Sequence, residues 1–193
     1  MADRPDRPAG WHFHPRNRPV DEPLDLVHEL GDGREAHLVF ARDGAYVPAI
    51  VERPAGDGPF PAVMVMHGGS GGLGWAFLAE DMRRKSFLFG RLVEEGYLVC
   101  YTEGRAEAED AYGTEYPATL DYEDVAEVFG HLSRLPDVDS SRIGTFGVSH
   151  GGELQMKLLT ELGGGPAASV PTEPAVIEYL SLQHQGGSAD AGE

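Results

Sequence analysis

The sequence predicts an α/β fold: a doubly wound, mostly parallel sheet entered through an N-terminal antiparallel hairpin, with about six strands in all. Three observations carry this expectation. Residues 35–41 and 45–52 alternate polar with apolar side chains and flank Asp43-Gly44, a hairpin signal. Residues 62–66, 97–101 and 143–148 are short strand-like runs of the kind covered on both faces. Longer segments with apolar residues at helical spacing separate those runs, as a parallel sheet requires.

Taken in order, residues 1–23 are rich in Pro, Arg and Asp and are expected to be poorly ordered. They contain Trp11-His12-Phe13-His14, but no Cys or carboxylate pattern completes a metal site around the two histidines. The domain is expected over residues 24–182. After the hairpin, residues 53–61 form a Pro/Gly loop and residues 62–66 the first parallel strand. A helix is expected over 78–95, stopped by Gly96. Residues 97–101 form the next strand, in which Cys100 packs as a small hydrophobe. Residues 103–116 read as an acidic, irregular loop with a solvated rim of carboxylates. Residues 118–135 form an amphipathic helix with Tyr122, Val125, Ala126, Phe129 and Leu132 on one face. Pro136-Asp137-Val138-Asp139 breaks it. A strand over 143–148 and a helix over 153–162 follow, then Gly163-Gly164-Gly165-Pro166. Residues 167–170 are a candidate last strand, residues 175–182 a helical turn or two, and residues 183–193 a flexible tail.

Composition narrows the function. The chain has 193 residues, enough for one domain and one core. Its formal net charge of −17 repels phosphate backbones and anionic lipid, so neither nucleic acid nor membrane is an expected partner. No apolar run approaches a membrane span, and the N-terminus lacks the apolar core of a secretory signal. With Cys100 the single cysteine, no disulfide forms within the chain, and a cytoplasmic location is expected.

The chemistry concentrates in Gly147-Val148-Ser149-His150-Gly151, which fits the G-x-S-x-G nucleophile elbow. A sharp strand-to-helix turn holds the serine hydroxyl at a helix N-terminus, where developing negative charge is favoured. The turn demands small residues two before and two after the serine. A second glycine segment, His67-Gly68-Gly69-Ser70-Gly71-Gly72, follows the strand over 62–66. It lacks the Gly-Lys-Ser/Thr of a phosphate loop and the G-x-G-x-x-G register of a dinucleotide site. It reads instead as an oxyanion loop. Gly68 and Gly69 would supply one backbone donor and the His150 N–H the other, with His67 holding the loop.

The stretch Asp139-Ser-Ser-Arg-Ile-Gly-Thr-Phe-Gly-Val-Ser-His-Gly-Gly152 resembles the catalytic domains of the prolyl oligopeptidase family, and those of dienelactone hydrolase and acetyl xylan esterase relatives. The likeness covers about residues 35–182 and identifies the chain as a member of the α/β-hydrolase superfamily. It implies a serine hydrolase that cleaves a small ester or peptide through an acyl-enzyme on Ser149, with no cofactor. The superfamily orders its triad Ser, then Asp or Glu, then His, the last two after strands the resemblance places beyond this sequence. The sequence after Ser149 has room for one more strand, so a C-terminally truncated domain is expected. Two residues remain as substitutes. Glu173, just after the last candidate strand, is the candidate acid. His184, the only histidine after the elbow, is the candidate base. His150 opens a helix and is expected to point away from Ser149. The alternative is an impaired fragment or pseudoenzyme that keeps the fold for binding or assembly, with a homo-oligomer formed through an exposed sheet edge.

Overall fold

A computed structural model describes residues 26–30, 33–41, 46–66, 68, 89–102, 121–161 and 165–174 of the chain. Among the described residues seven strands form one sheet in the order β1-β2-β3-β5-β4-β6-β7. They are β1 (Leu26–Glu29), β2 (Arg34–Phe40), β3 (Tyr46–Glu52), β4 (Phe60–Met66), β5 (Leu98–Thr102), β6 (Val138–Val148) and β7 (Ala168–Thr172). Three helices are described: α1 (Phe89–Glu94), α2 (Asp121–Arg134) and α3 (His150–Glu161). Strands β1 to β3 are antiparallel, and β3 meets β5 antiparallel; β5, β4, β6 and β7 are mutually parallel. The expected hairpin and parallel strands are all present. The additional strand is β1, a four-residue edge pairing Leu26–Glu29 with β2.

Strand alternation divides the core into two layers. Ala62, Met64 and Met66 of β4, with Leu98 and Cys100 of β5, face α2 and α3 and meet Val125, Val128, Leu132, Leu154 and Leu158. Val63, Val65, Val99 and Tyr101 face the other way, against Leu92 and Val93 of α1. Residues buried on both faces explain why these strands read as unbroken apolar runs. Cys100 sits fully buried, and desolvation pushes its thiol up to about 12, so it is a packing residue and no nucleophile.

The crossovers set the position of everything chemical. The chain leaves β4 through the α1 side to reach β5, then returns over the opposite face through α2 to β6, on the other side of β4. The C-terminal end of β4 is therefore the topological switch point, where open α/β sheets form their crevice. Helix α3 is seated on β6 and β7 by a polar contact as well as by Leu154 and Leu158. Gln155, fully buried, donates to the Thr145 carbonyl at 2.6 Å and to Thr145 Oγ1 at 2.7 Å, and Thr145 Oγ1 meets Ser169 Oγ at 2.9 Å.

Among the described residues β7 is an edge strand, with Val170 55 % exposed. Its Thr172 carbonyl faces β6, accepting from Ser149 N–H, so the neighbouring Pro171 faces outward. A proline there removes an N–H from the open edge and blunts it against added strands. Among the described residues no helix is long and apolar enough to cross a membrane. The helix expected to begin at residue 78 is described only from Phe89. The loop over 103–116 and the segments over 1–23 and 175–193 lie outside the described residues.

Leu158 on α3 is fully buried, whereas its neighbour Leu159 is 45 % exposed. Leu158→Ala is expected to cost about 2–5 kcal/mol in urea unfolding and Leu159→Ala less than about 1 kcal/mol. Equal losses at the two positions would contradict this placement of α3.

Candidate active site

Val148 ends β6 and His150 begins α3, so Ser149 alone makes the turn. Its φ is 51°, the left-handed region that a side chain rarely adopts. Two backbone hydrogen bonds hold it there. Ser149 N–H donates to the Thr172 carbonyl at 2.9 Å, and the Ser149 carbonyl accepts from Glu153 N–H at 3.1 Å. The first extends the β6–β7 ladder one residue past the strand, and the second opens the helix.

The glycine requirement is local and steep. A Cβ built on Gly147 would lie 2.3 Å from the Gly151 carbonyl oxygen and 2.9 Å from Gly152 N, closer than real side chains come. The backbone doubles back on itself at the turn, and only hydrogen fits between. Gly152 answers a different neighbour: its Cβ would press on Pro174 and the Thr172 carbonyl, at 3.2 and 3.3 Å. The third glycine thus lets α3 close on the end of β7.

Of the glycine loop after β4, Gly68 is described. A Cβ on Gly68 would meet Ser149 Cβ at 3.0 Å and the Val148 carbonyl oxygen at 3.0 Å. Gly68 therefore packs its backbone directly on the elbow. Strands β4 and β6 are neighbours, with Met66 opposite Gly147, so the residues that follow them are adjacent in space. Ser149 is half-buried, and its Cβ lies on the side of Gly68 where a Cβ would project. His150 opens α3, with its backbone in the first turn, where the helix dipole is positive. Gly69 and His67 lie outside the described residues.

A sequence model of the X-Pro dipeptidyl-peptidase (S15) family matches residues 43–192. The chain belongs to that family. No curated protein matches it. The fold is similar to that of an esterase from the archaeon Pyrobaculum calidifontis, at 24 % identity and a TM-score of 0.57 over 81 % of this chain and 48 % of that one. It is similar also to Porphyromonas gingivalis dipeptidyl peptidase 4, at 21 % identity and a TM-score of 0.53 over 73 % of this chain and 20 % of that one. A third is Pyrococcus horikoshii acylaminoacyl peptidase, at 17 % identity and a TM-score of 0.51 over 79 % of this chain and 23 % of that one. These likenesses show a shared fold. The chain spans less than half the length of each of these structures.

In this S15-family chain Glu173 directly follows Thr172, whose carbonyl holds Ser149 N–H. Glu173 is exposed and has a φ of 46°, the only other described non-glycine residue with a left-handed backbone. The sequence thus places the candidate acid within one residue of the elbow's hydrogen-bond partner. His184 lies outside the described residues. The His150 ring lies toward α3 itself, its Nδ1 3.5 Å from Glu153 Oε2, with both side chains 13 % exposed. Glu153 in turn stands 3.7 Å from Lys157 Nζ. Sequence reading did not single out Glu153; its i+3 and i+4 spacing to His150 and Lys157 was the available signal. No group of three or more His, Cys, Asp or Glu that could hold a metal ion occurs among the described residues.

Gly147→Ala is expected to destabilise by about 1–3 kcal/mol or more, because the Gly151 carbonyl has nowhere to go. Ser149→Gly relieves the left-handed side chain and is expected to match wild-type stability or exceed it by up to about 1 kcal/mol. Thermal unfolding of the two variants checks both signs; a destabilised Ser149→Gly protein would argue against a strained elbow.

Proposed function

We propose that the chain is a serine hydrolase that cleaves an ester or peptide bond through an acyl-enzyme on Ser149. The observation that carries this reading is Ser149 in a left-handed turn with the Gly68 backbone packed against it. In the reaction Ser149 Oγ bonds to the carbonyl carbon as its proton passes to a base. The leaving amine or alcohol takes that proton, and water then releases the acid from the serine ester. The Gly68–Gly69 backbone and the His150 N–H are the donors assigned to the oxyanion, and their alignment is worth several kcal/mol of barrier. Glu173 is assigned the role of acid and His184 that of base. The family's description as X-Pro dipeptidyl-peptidases favours peptides with proline second from the N-terminus over simple esters.

A second reading keeps the fold for binding or assembly without turnover. One feature favours it: an apolar groove of about 550 Å³ on the α1 face, lined by Val63, Leu92, Tyr97, Phe146, Ala168 and Val170. It continues onto the open edge of β7 and includes neither Ser149 nor Gly68.

A fluorophosphonate probe separates the two readings. Wild type is expected to label and Ser149→Ala to remain unlabelled; an unlabelled wild type would leave only the binding reading. Glu173→Gln is expected to slow labelling at least roughly tenfold if that carboxylate acts on the base. X-Pro dipeptide and short acyl p-nitrophenyl substrates, compared by kcat/KM, rank peptide against ester. Light scattering after size exclusion reports on assembly, for which the second reading expects a dimer or larger species.

A further inference from the structure

A partly buried polar chain starts on β2, which β3, β5 and β4 separate from the strand that leads to Ser149. His37 of β2 and His131 of α2 are 1 % and 5 % exposed, and their rings meet edge to face, His37 Nδ1 lying 2.8 Å from His131 Nε2. The other nitrogen of His37, Nε2, lies 2.8 Å from Glu35 Oε2. Arg53, just after β3, donates from Nη1 to that same Glu35 oxygen. Its Nε donates to Asp137 Oδ2 at 2.5 Å, in the turn that leads into β6. Asp137 Oδ1 is buried without a hydrogen-bond partner. Strand β2, the segment after β3, helix α2 and the turn into β6 are thus joined through one line of side chains. Nothing in the proposed hydrolysis uses them.

The partners dictate where the protons are. A carboxylate only accepts, so His37 Nε2 carries a hydrogen and donates it to Glu35. Neutral His37 then presents a lone pair at Nδ1, and His131 Nε2 must carry the hydrogen that fills the contact. A first extra proton on the pair can be absorbed, because His131 can move its own hydrogen to Nδ1 and accept from the His37 cation. A second cannot. Both facing nitrogens would then carry hydrogens at 2.8 Å, and two cations would be buried side by side.

We propose that this pair is an acid-operated latch, which holds the last turn of α2 on β2 while at most one extra proton is shared and releases it once both rings are protonated. The charged and titratable groups that face His37 are Glu35 from its own strand, Arg53 beyond β3 and His131 from α2. Burial lowers the His37 pKa below 6.5, and the nearby His131 and Arg53 charges act the same way, against the hydrogen bond and charge of Glu35. Burial alone would raise the Glu35 carboxyl, but the hydrogen bonds from His37 and Arg53 outweigh it and hold its pKa below 4.5. The unfolded chain takes up the His37 proton more readily than the folded one. Stability from that group is therefore complete above pH 6.5 and falls as the pH drops through it. The Glu35 contribution is present above pH 4.5 and is lost below it. The two windows do not coincide, so histidine release is read between pH 7.5 and 5, with Glu35 still ionised.

Hydrogen exchange of the full chain tests the latch. Corrected for intrinsic rates, the amides of residues 128–134 are expected to exchange at least tenfold faster at pH 5 than at pH 7.5. Amides of β4 and β5 should change less. In His131→Gln, the amide can donate to neutral His37 or accept from its cation, so the acceleration should shrink to what burial of the His37 cation alone causes. The same acceleration in His131→Gln, or none in wild type, would overturn the proposal. Should His131→Gln fail to fold, long-range ¹H–¹⁵N spectra of the wild-type imidazoles decide. Hydrogen is expected on Nε2 of both rings at pH 7.5, and any other pattern overturns the assignment.

Discussion

A single backbone conformation organises the candidate active site: Ser149 held at a φ of 51° between β6 and α3. A side chain in the left-handed region costs about 1–2 kcal/mol, so the turn persists only because its surroundings determine it. Those surroundings are specific. Gly147 leaves room for the Gly151 carbonyl, Gly152 lets α3 reach the end of β7, and the Thr172 carbonyl takes the Ser149 N–H. Gln155 adds a buried polar seat that ties α3 to Thr145 of β6. The strain at one residue is offset by packing and hydrogen bonds spread over three elements.

The second condition is topological. A glycine loop is useful to a serine only if both end at the same place. Strand β4 lies between β5 and β6, and the chain changes direction there. Gly68 and Ser149 therefore emerge side by side although 80 residues separate them in the sequence, which covalent proximity could never arrange. Glu173 reaches the same neighbourhood because β7 pairs with β6 in parallel and ends level with it, Val148 opposite Thr172. The polar chain of Glu35, His37, His131, Arg53 and Asp137 starts on β2, which β3, β5 and β4 separate from β6, so Ser149 and the histidine pair are structurally separate.

The local signals read well where local physics dominates. The hairpin, the strands over 62–66 and 97–101, the helix that became α2 and the elbow each depend on residues close in sequence. Strand β1 was missed because four residues at a sheet edge carry too little alternation to register; its partner strand defines it. Helix α3 begins at His150, earlier than the apolar spacing indicates, because two glycines dilute the pattern that marks its first turn. Strand β6 likewise begins at Val138, before a register shift against β4, where Asp139 accepts from Ser141 and Arg142.

By itself the sequence determined the fold class, the identity of the serine and the glycines that make its turn possible, because sterics over five residues decide those. Tertiary structure alone decided that Gly68 touches that turn and that Glu173 follows the carbonyl holding it. It alone decided that two histidines nearly a hundred residues apart share one hydrogen bond. Such contacts follow from the order of strands in the sheet, and strand order is a property of how apolar faces cover one another, which no local stretch of sequence encodes.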